Sequence, residues 1–127
     1  MDDAQQQLFT ALKIELEEWN HTVYDGMLPP EGTPYPFDYL GEVQQLDDGA
    51  KNALMGSIHQ TIHVYTNNVR NRGTFSRMLA ECKQACHDVC KSNPRFMLRN
   101  ISTQVLPDNT TREPLFHGII DAEFNYS

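Results

Sequence analysis

Near the middle of the chain, Ser57 to Thr66 alternate between apolar and polar residues with a period of two. Ile58, Ile62 and Val64 fall on one side, and His59, Thr61, His63 and Tyr65 on the other. Successive strand side chains point to opposite faces, so this run reads as a half-buried strand in a sheet with one covered face and one open face. The rest of the chain must then supply the cover. Thr74 to Lys91 does so: Phe75, Met78, Leu79, Cys82, Cys86, Val89 and Cys90 recur at i, i+3, i+4 and form the stripe of an amphipathic helix. Thr74 or Ser76 is placed to cap it, and Ser92-Asn93-Pro94 to stop it. A second helix is expected over Asp2 to Trp19. It carries Leu8, Leu12 and Trp19, with Ala11, Ile14, Glu15 and Leu16 between them. Asp2 and Asp3 put negative charge at its N-terminus, and Asn20 and His21 end it.

The remaining segments supply further strands. Val23 and Tyr24 suggest a short extended piece. Asp25 to Pro36 reads as a loop, with Gly26, Pro29, Pro30, Gly32, Pro34 and Pro36, and the two prolines around Tyr35 force extended backbone there. Phe37 to Val43 reads as a strand with Phe37, Tyr39 and Gly41 on one face. Gln44 to Gly56 holds the turn signal Asp47-Asp48-Gly49 and reads as a loop, as does the polar stretch Asn67 to Gly73. Phe96 to Leu106 and Leu115 to Phe124 read as strands joined through a turn at Pro107-Asp108-Asn109-Thr110. The order is helix, strand, strand, helix, strand, strand. It predicts an α+β fold, an antiparallel sheet of about four strands with two helices packed on one face. The other face is left for water or a partner. At 127 residues the chain is long enough for one core, and residues 1–127 are expected to form one domain.

Composition narrows the classes of function. With 39% hydrophobic and 21% charged residues the chain is globular in type. Its apolar runs are too short to span a bilayer, and Met1-Asp2-Asp3 lacks the basic start and apolar core of a signal peptide. No membrane partner is expected, and the cytosol is the expected site of synthesis. A formal net charge of −7 argues against a protein built to grip nucleic acid, although a modest basic concentration runs from Arg70 to Arg99. The three cysteines, an odd number without a secretory signal, read as free thiols.

The search for reactive chemistry finds little. Cys82, Cys86 and Cys90, beside His87, share a helix face and raise the question of a metal site. That face is also the apolar stripe, and structural zinc sites use a close pair of ligands with a second pair elsewhere, which is missing here. Core packing is the simpler reading. His59 and His63 share a strand face but stand roughly 13 Å apart at Cα, and no H-E-x-x-H frame surrounds them. Asp47-Asp48 and Glu15, Glu17 and Glu18 read as solvated surface. No nucleophile-elbow, P-loop or dinucleotide-binding motif occurs. The expectation is a protein that is not an enzyme and needs no cofactor or metal. A metal-dependent enzyme using His59, His63 and the cysteines is the rival from a different class.

The order of these segments also resembles a known family. Val23-Tyr24-Asp25-Gly26, leading to Thr33-Pro34-Tyr35-Pro36-Phe37-Asp38-Tyr39-Leu40-Gly41, is similar to the opening of the phage tail-completion family, the tail terminators or tail-to-head joining proteins of long-tailed phages. Lys51, the strand from Gly56 to Tyr65, the helix begun at Gly73 and the closing strand Leu115 to Phe124 follow in the family's order. The three-cysteine helix departs from its pattern. The resemblance implies a structural virion protein. It would assemble with itself into a ring, commonly a hexamer, cap the tail tube protein and dock it to the head-connector protein. It implies a location in the tail or neck of the virion, in the host cytoplasm during assembly, with DNA passing through an acidic lumen without specific binding. The expected subunit-interface residues are Asp47, Asp48, Lys51, His59, Thr61, His63, Asn67, Asn68, Arg70 and Arg72, with the loops Gln44–Gly56 and Asn67–Gly73 reaching to adjacent rings. Another neck component, or a host binding module using the open sheet face for a ligand, is the alternative.

Overall fold

The computed structural model describes residues 3–25, 28–47, 55–108 and 113–127. Among these, the elements run α1 (Ala4–Glu18), β1 (Val23–Asp25), β2 (Phe37–Asp47), β3 (Gly56–Thr66), α2 (Arg72–Ser92), β4 (Phe96–Asp108) and β5 (Leu115–Tyr126). The strands form one sheet in the order β1-β2-β3-β5-β4. The α+β class and the two helices on one face agree with the sequence reading. The sheet has five strands rather than four and is mixed, because β1 joins the edge parallel to β2, with Val23 opposite Asp38. The other pairings are antiparallel.

Among the described residues, one apolar cluster lies between the helices and the sheet. Leu8, Leu12 and Leu16 of α1 and Phe75, Leu79, Cys82, Cys86 and Val89 of α2 pack onto Ile58, Ile62 and Val64 of β3 and Ile120, Ala122 and Phe124 of β5. Each fully buried Leu or Ile side chain stabilises the fold by about 1.5–3 kcal/mol. The β3 alternation is realised: Ile58, Ile62 and Val64 are buried, while His59, Thr61, His63 and Tyr65 face the other way and are half-buried. The thiols of Cys82 and Cys86 are core groups, and Cys90 packs at the margin of the cluster. Trp19 and Ile14, expected on the apolar stripe of α1, are exposed instead. The stripe is narrow because Ala4, Leu8, Ala11, Leu12 and Leu16 alone satisfy it.

Several boundaries differ from the sequence reading. The sequence predicts a loop after Val43, but β2 continues to Asp47, pairing Gln44, Gln45 and Leu46 with His59, Ile58 and Ser57 after a register shift between Leu40 and Val43. Polar Gln44 and Gln45 fit a strand here because β1, only three residues long, pairs no further along β2 than Leu40. Pro107 lies inside β4, opposite Phe116, and not in a turn. As β4 is the outermost strand, a residue without an N–H is tolerated there. Helix α2 starts earlier than Thr74. Asn71 caps it, its Oδ1 accepting from the Thr74 N–H at 3.0 Å, so Thr74 is the capped residue and not the cap. The end of the Asn67–Gly73 stretch is therefore helical.

Helix α1 ends on a motif that aims the next residue. Asn20 adopts φ +65°, the His21 N–H donates to the Leu16 carbonyl at 3.2 Å and the Asn20 N–H to the Glu17 carbonyl at 2.9 Å. This pair of bonds with a left-handed Asn is a Schellman turn. It delivers His21 to the start of β1, where the Asp38 N–H donates to the Thr22 carbonyl at 2.8 Å.

Candidate functional site

Two polar assemblies stand out, one on each face of the sheet. The open face carries a band of rings built by cross-strand neighbours. Phe37, Tyr65 and His117 stand opposite one another on β2, β3 and β5, and Tyr39 stands opposite His63. Tyr65 stacks on His117 with centroids 4.2 Å apart at 12°, Phe37 stacks on Tyr65 and Tyr35, and His63 stacks on Tyr39 and His117. His63 Nδ1 lies 2.7 Å from His117 Nε2, and His63 Nε2 lies 2.9 Å from Glu42 Oε2. The hydrogen bond to His63 holds the Glu42 carboxyl below the usual range. Burial and the neighbouring His63 push His117 below the usual imidazole value. Burial also raises the Tyr65 hydroxyl. Further along the face the Thr61 hydroxyl donates to Asp121 Oδ1 at 2.6 Å, and His59 Nε2 lies 3.5 Å from Glu123 Oε2. The proline-rich segment crosses one end of this face and encloses a groove of about 290 Å³ with Leu28, Tyr35, Phe37, Tyr65 and Leu115 in its wall.

Of the expected interface residues, the structure groups His59, Thr61 and His63 in one row on the open face. Asn67, Asn68 and Arg70 lie exposed between β3 and α2. Asn67 Nδ2 donates to Glu113 Oε1 at 3.4 Å, and the Arg72 guanidinium sits 5.8 Å from the centre of the Phe116 ring. The backbone of Asp47 pairs with Gly56 at the far end of the β2–β3 ladder. Asp48 and Lys51 lie outside the described residues, as does the end of the expected turn at Asn109-Thr110. The structure thus distributes the candidates over the open face and both ends of β3.

The second assembly lies on the covered face. His21 Nδ1 is 2.5 Å from Asp38 Oδ2, and His21 Nε2 is 2.8 Å from Glu81 Oε1. The Cys82 thiol donates to Asp38 Oδ2 at 3.7 Å and stands 3.9 Å from His21 Nδ1. Asp38 and Cys82 are fully buried, and the His21 side chain nearly so. Burial alone would lower His21, but the hydrogen bonds and charges of Asp38 and Glu81 outweigh it and hold the imidazole above its usual value. Burial raises Asp38 against the opposing pull of His21, and a separation as short as 2.5 Å requires a proton between the two atoms. Burial, reinforced by the adjacent Asp38, raises the Cys82 thiol well above its usual value.

Sequence reasoning passes over His21, Asp38 and Glu81 here, and Glu42 and His117 on the open face. One signal is available for Asp38. If Phe37 and Tyr39 share the open face, the residue between them must face the helices, and a carboxylate there requires a partner.

No protein-family model matches the sequence, and no curated protein is similar to it. Solved structures align with the chain over almost its whole length. A chain from the virion of a native gene transfer agent particle aligns with a TM-score of 0.48 at 14% identity, over 98% of this chain and 95% of that one. The bacteriophage SPP1 gp17 protein aligns with a TM-score of 0.55 at 18% identity, over 98% of this chain and 91% of its own. The chain therefore shares, almost from end to end, the fold of a bacteriophage protein.

Proposed function

We propose that this protein is a structural component of a long-tailed phage particle, a tail terminator or tail-to-head joining protein that assembles into a ring, caps the tail tube and meets the head connector. On this reading it performs no catalysis, and its working surfaces are those that meet other subunits. The observation that carries the proposal is the fold shared with the bacteriophage SPP1 gp17 protein over 98% of the chain. The order of the sequence segments supports it independently.

The exposed parts of the sheet suit such a role. The outer edge of β4 runs for 13 residues with no strand beside it among the described residues, and β2 continues past the three-residue β1. Open edges invite pairing with another chain, and a closed ring of identical subunits is one way to cover them. Exposed Val43 and Leu46 on β2, Met55 just before β3 and Met97 and Leu106 on β4 add apolar area to these margins. The net charge of −7 suits a passage that DNA crosses without adhering.

Electron microscopy of the purified protein, and of particles made without it, tests the proposal. Rings are expected from the protein, and filled heads with unjoined tails, or tails of uncontrolled length, from the deletion. Normal, infectious tailed particles in its absence would overturn the reading.

A further inference from the structure

The buried assembly at the end of α1 has the makings of a metal centre. His21 follows the helix, Asp38 is the second residue of β2, and Cys82 lies mid-way along α2. Their donor atoms, an imidazole nitrogen, a carboxylate oxygen and a thiol sulfur, lie within 4.8 Å of one another. Tetrahedral zinc, with bonds of about 2.0–2.3 Å, would set sulfur about 3.5 Å from each of the other two donors and nitrogen about 3.3 Å from oxygen. The observed sulfur distances of 3.7 and 3.9 Å are close to this, and only the 2.5 Å separation of His21 Nδ1 and Asp38 Oδ2 has to widen.

Two independent features point to a cation rather than to a closed hydrogen-bond network. The other carboxylate oxygen, Asp38 Oδ1, is buried with no hydrogen-bond partner among the described residues. A side chain so enclosed ordinarily has its oxygens satisfied. The second feature is Glu81, whose Oε1 accepts from His21 Nε2 at 2.8 Å. A carboxylate on the far nitrogen is the usual outer partner of a metal-bound histidine, because it places the proton there and turns the remaining lone pair toward the ion. Here Nδ1, which would offer that lone pair once its proton leaves, faces Asp38 and Cys82. Arg77 Nε, 4.0 Å from Glu81 Oε2, offsets the charge of that outer carboxylate. A cavity of about 440 Å³ bordered by Trp19, Thr22, Pro36 and Arg77 adjoins His21 and Asp38 and gives room for a water as fourth ligand.

We propose that His21, Asp38 and Cys82 bind a divalent cation of the zinc class at a structural site that ties the end of α1 to β2 and α2. The mixed nitrogen, oxygen and sulfur donor set selects a borderline-soft ion over magnesium or calcium. Binding removes two protons, the Cys82 thiol proton and the one held between His21 Nδ1 and Asp38 Oδ2. The ion then meets a neutral imidazole, a carboxylate and a thiolate, and the charges of the inner site sum to zero. Such a site is a clamp and not a reaction centre, and it does not depend on the assembly role proposed above.

Cobalt(II) and zinc(II) titrations of untagged, reduced protein test this. One equivalent of cobalt is expected to bring up the near-ultraviolet thiolate-to-metal absorption, which added zinc abolishes, with two protons released per ion in calorimetry across buffers. The absorption should vanish in C82S and persist in the double variant C86S/C90S. E81Q should keep it but weaken the zinc Kd about 10–100-fold. Absence of thiolate absorption in the wild-type protein at excess cobalt overturns the proposal, and so does its survival in C82S. Because the first of these readings needs no variant, a misfolded mutant does not shield the idea.

Discussion

His63 Nδ1 lies 2.7 Å from His117 Nε2 across the β3–β5 ladder, and the other nitrogen of His63 faces Glu42. One imidazole donates to the other beside the rings of Tyr39 and Tyr65, and the arrangement makes stability sensitive to acid. His117 is pushed below its usual value by burial and by His63, while Asp108 and Glu42 pull the other way. The unfolded chain therefore takes up the His117 proton before the folded one does. Stability from this group is complete above about pH 6.5 and is lost as pH falls through the lower folded value. His21, held above its usual value, adds stability over the same interval, so the decline is read as a difference: in urea unfolding from pH 8 to pH 5, the wild-type protein should lose stability relative to H117F, which keeps a ring to stack on Tyr65. An unchanged slope in H117F would count against the relationship.

The crossing of α2 over β5 depends on Gly118. A Cβ there would stand 2.6 Å from Leu79 Cδ2 and 3.1 Å from Phe75 Cζ, both in the core. G118A should cost about 1–3 kcal/mol by overpacking. The double variant G118A/L79A should lose less than the sum of the two single changes, as read from denaturant midpoints.

Thiol reactivity should rank the cysteines by burial. Cys86 is fully buried and its thiol is pushed up to about 12, while Cys90 is only partly covered. In native protein a disulfide reagent should reach Cys90 first, with Cys82 and Cys86 labelled only at the rate of unfolding. Rapid labelling of all three would contradict the packing. Replacing Cys86 by Ala should destabilise the fold by about 1–2 kcal/mol through the small cavity it leaves.

The start of α2 provides a local test. Because Asn71, and neither Thr74 nor Ser76, supplies the capping oxygen, N71A should cost about 1 kcal/mol. S76A, on an exposed residue, should stay within about 0.5 kcal/mol of wild type by the same thermal-melt measurement.

Elements with a strong internal period are legible in the amino-acid sequence. The alternation through Ile58, Ile62 and Val64 and the stripe through Phe75, Leu79, Cys82 and Cys86 each declare their buried face, because the repeat of a strand or helix is a property of the backbone itself. Pro107 and the Gln44–Leu46 stretch mislead for the opposite reason. Proline and glutamine disfavour a strand on their own, and only an edge position makes them acceptable. Of the expected interface residues, the row His59, Thr61 and His63 follows from the β3 period alone.

By itself the sequence determined two helices laid over one face of a sheet, since repeating local patterns specify which side of each element must leave water. The meeting of His21 with Asp38, Glu81 and Cys82, and of His63 with His117, was decided only in three dimensions. Those partners come from distant segments, brought together by β1 joining β2 in parallel and by β5 inserting beside β3. Strand order and helix placement depend on contacts summed over the whole core, and no local window of residues contains them.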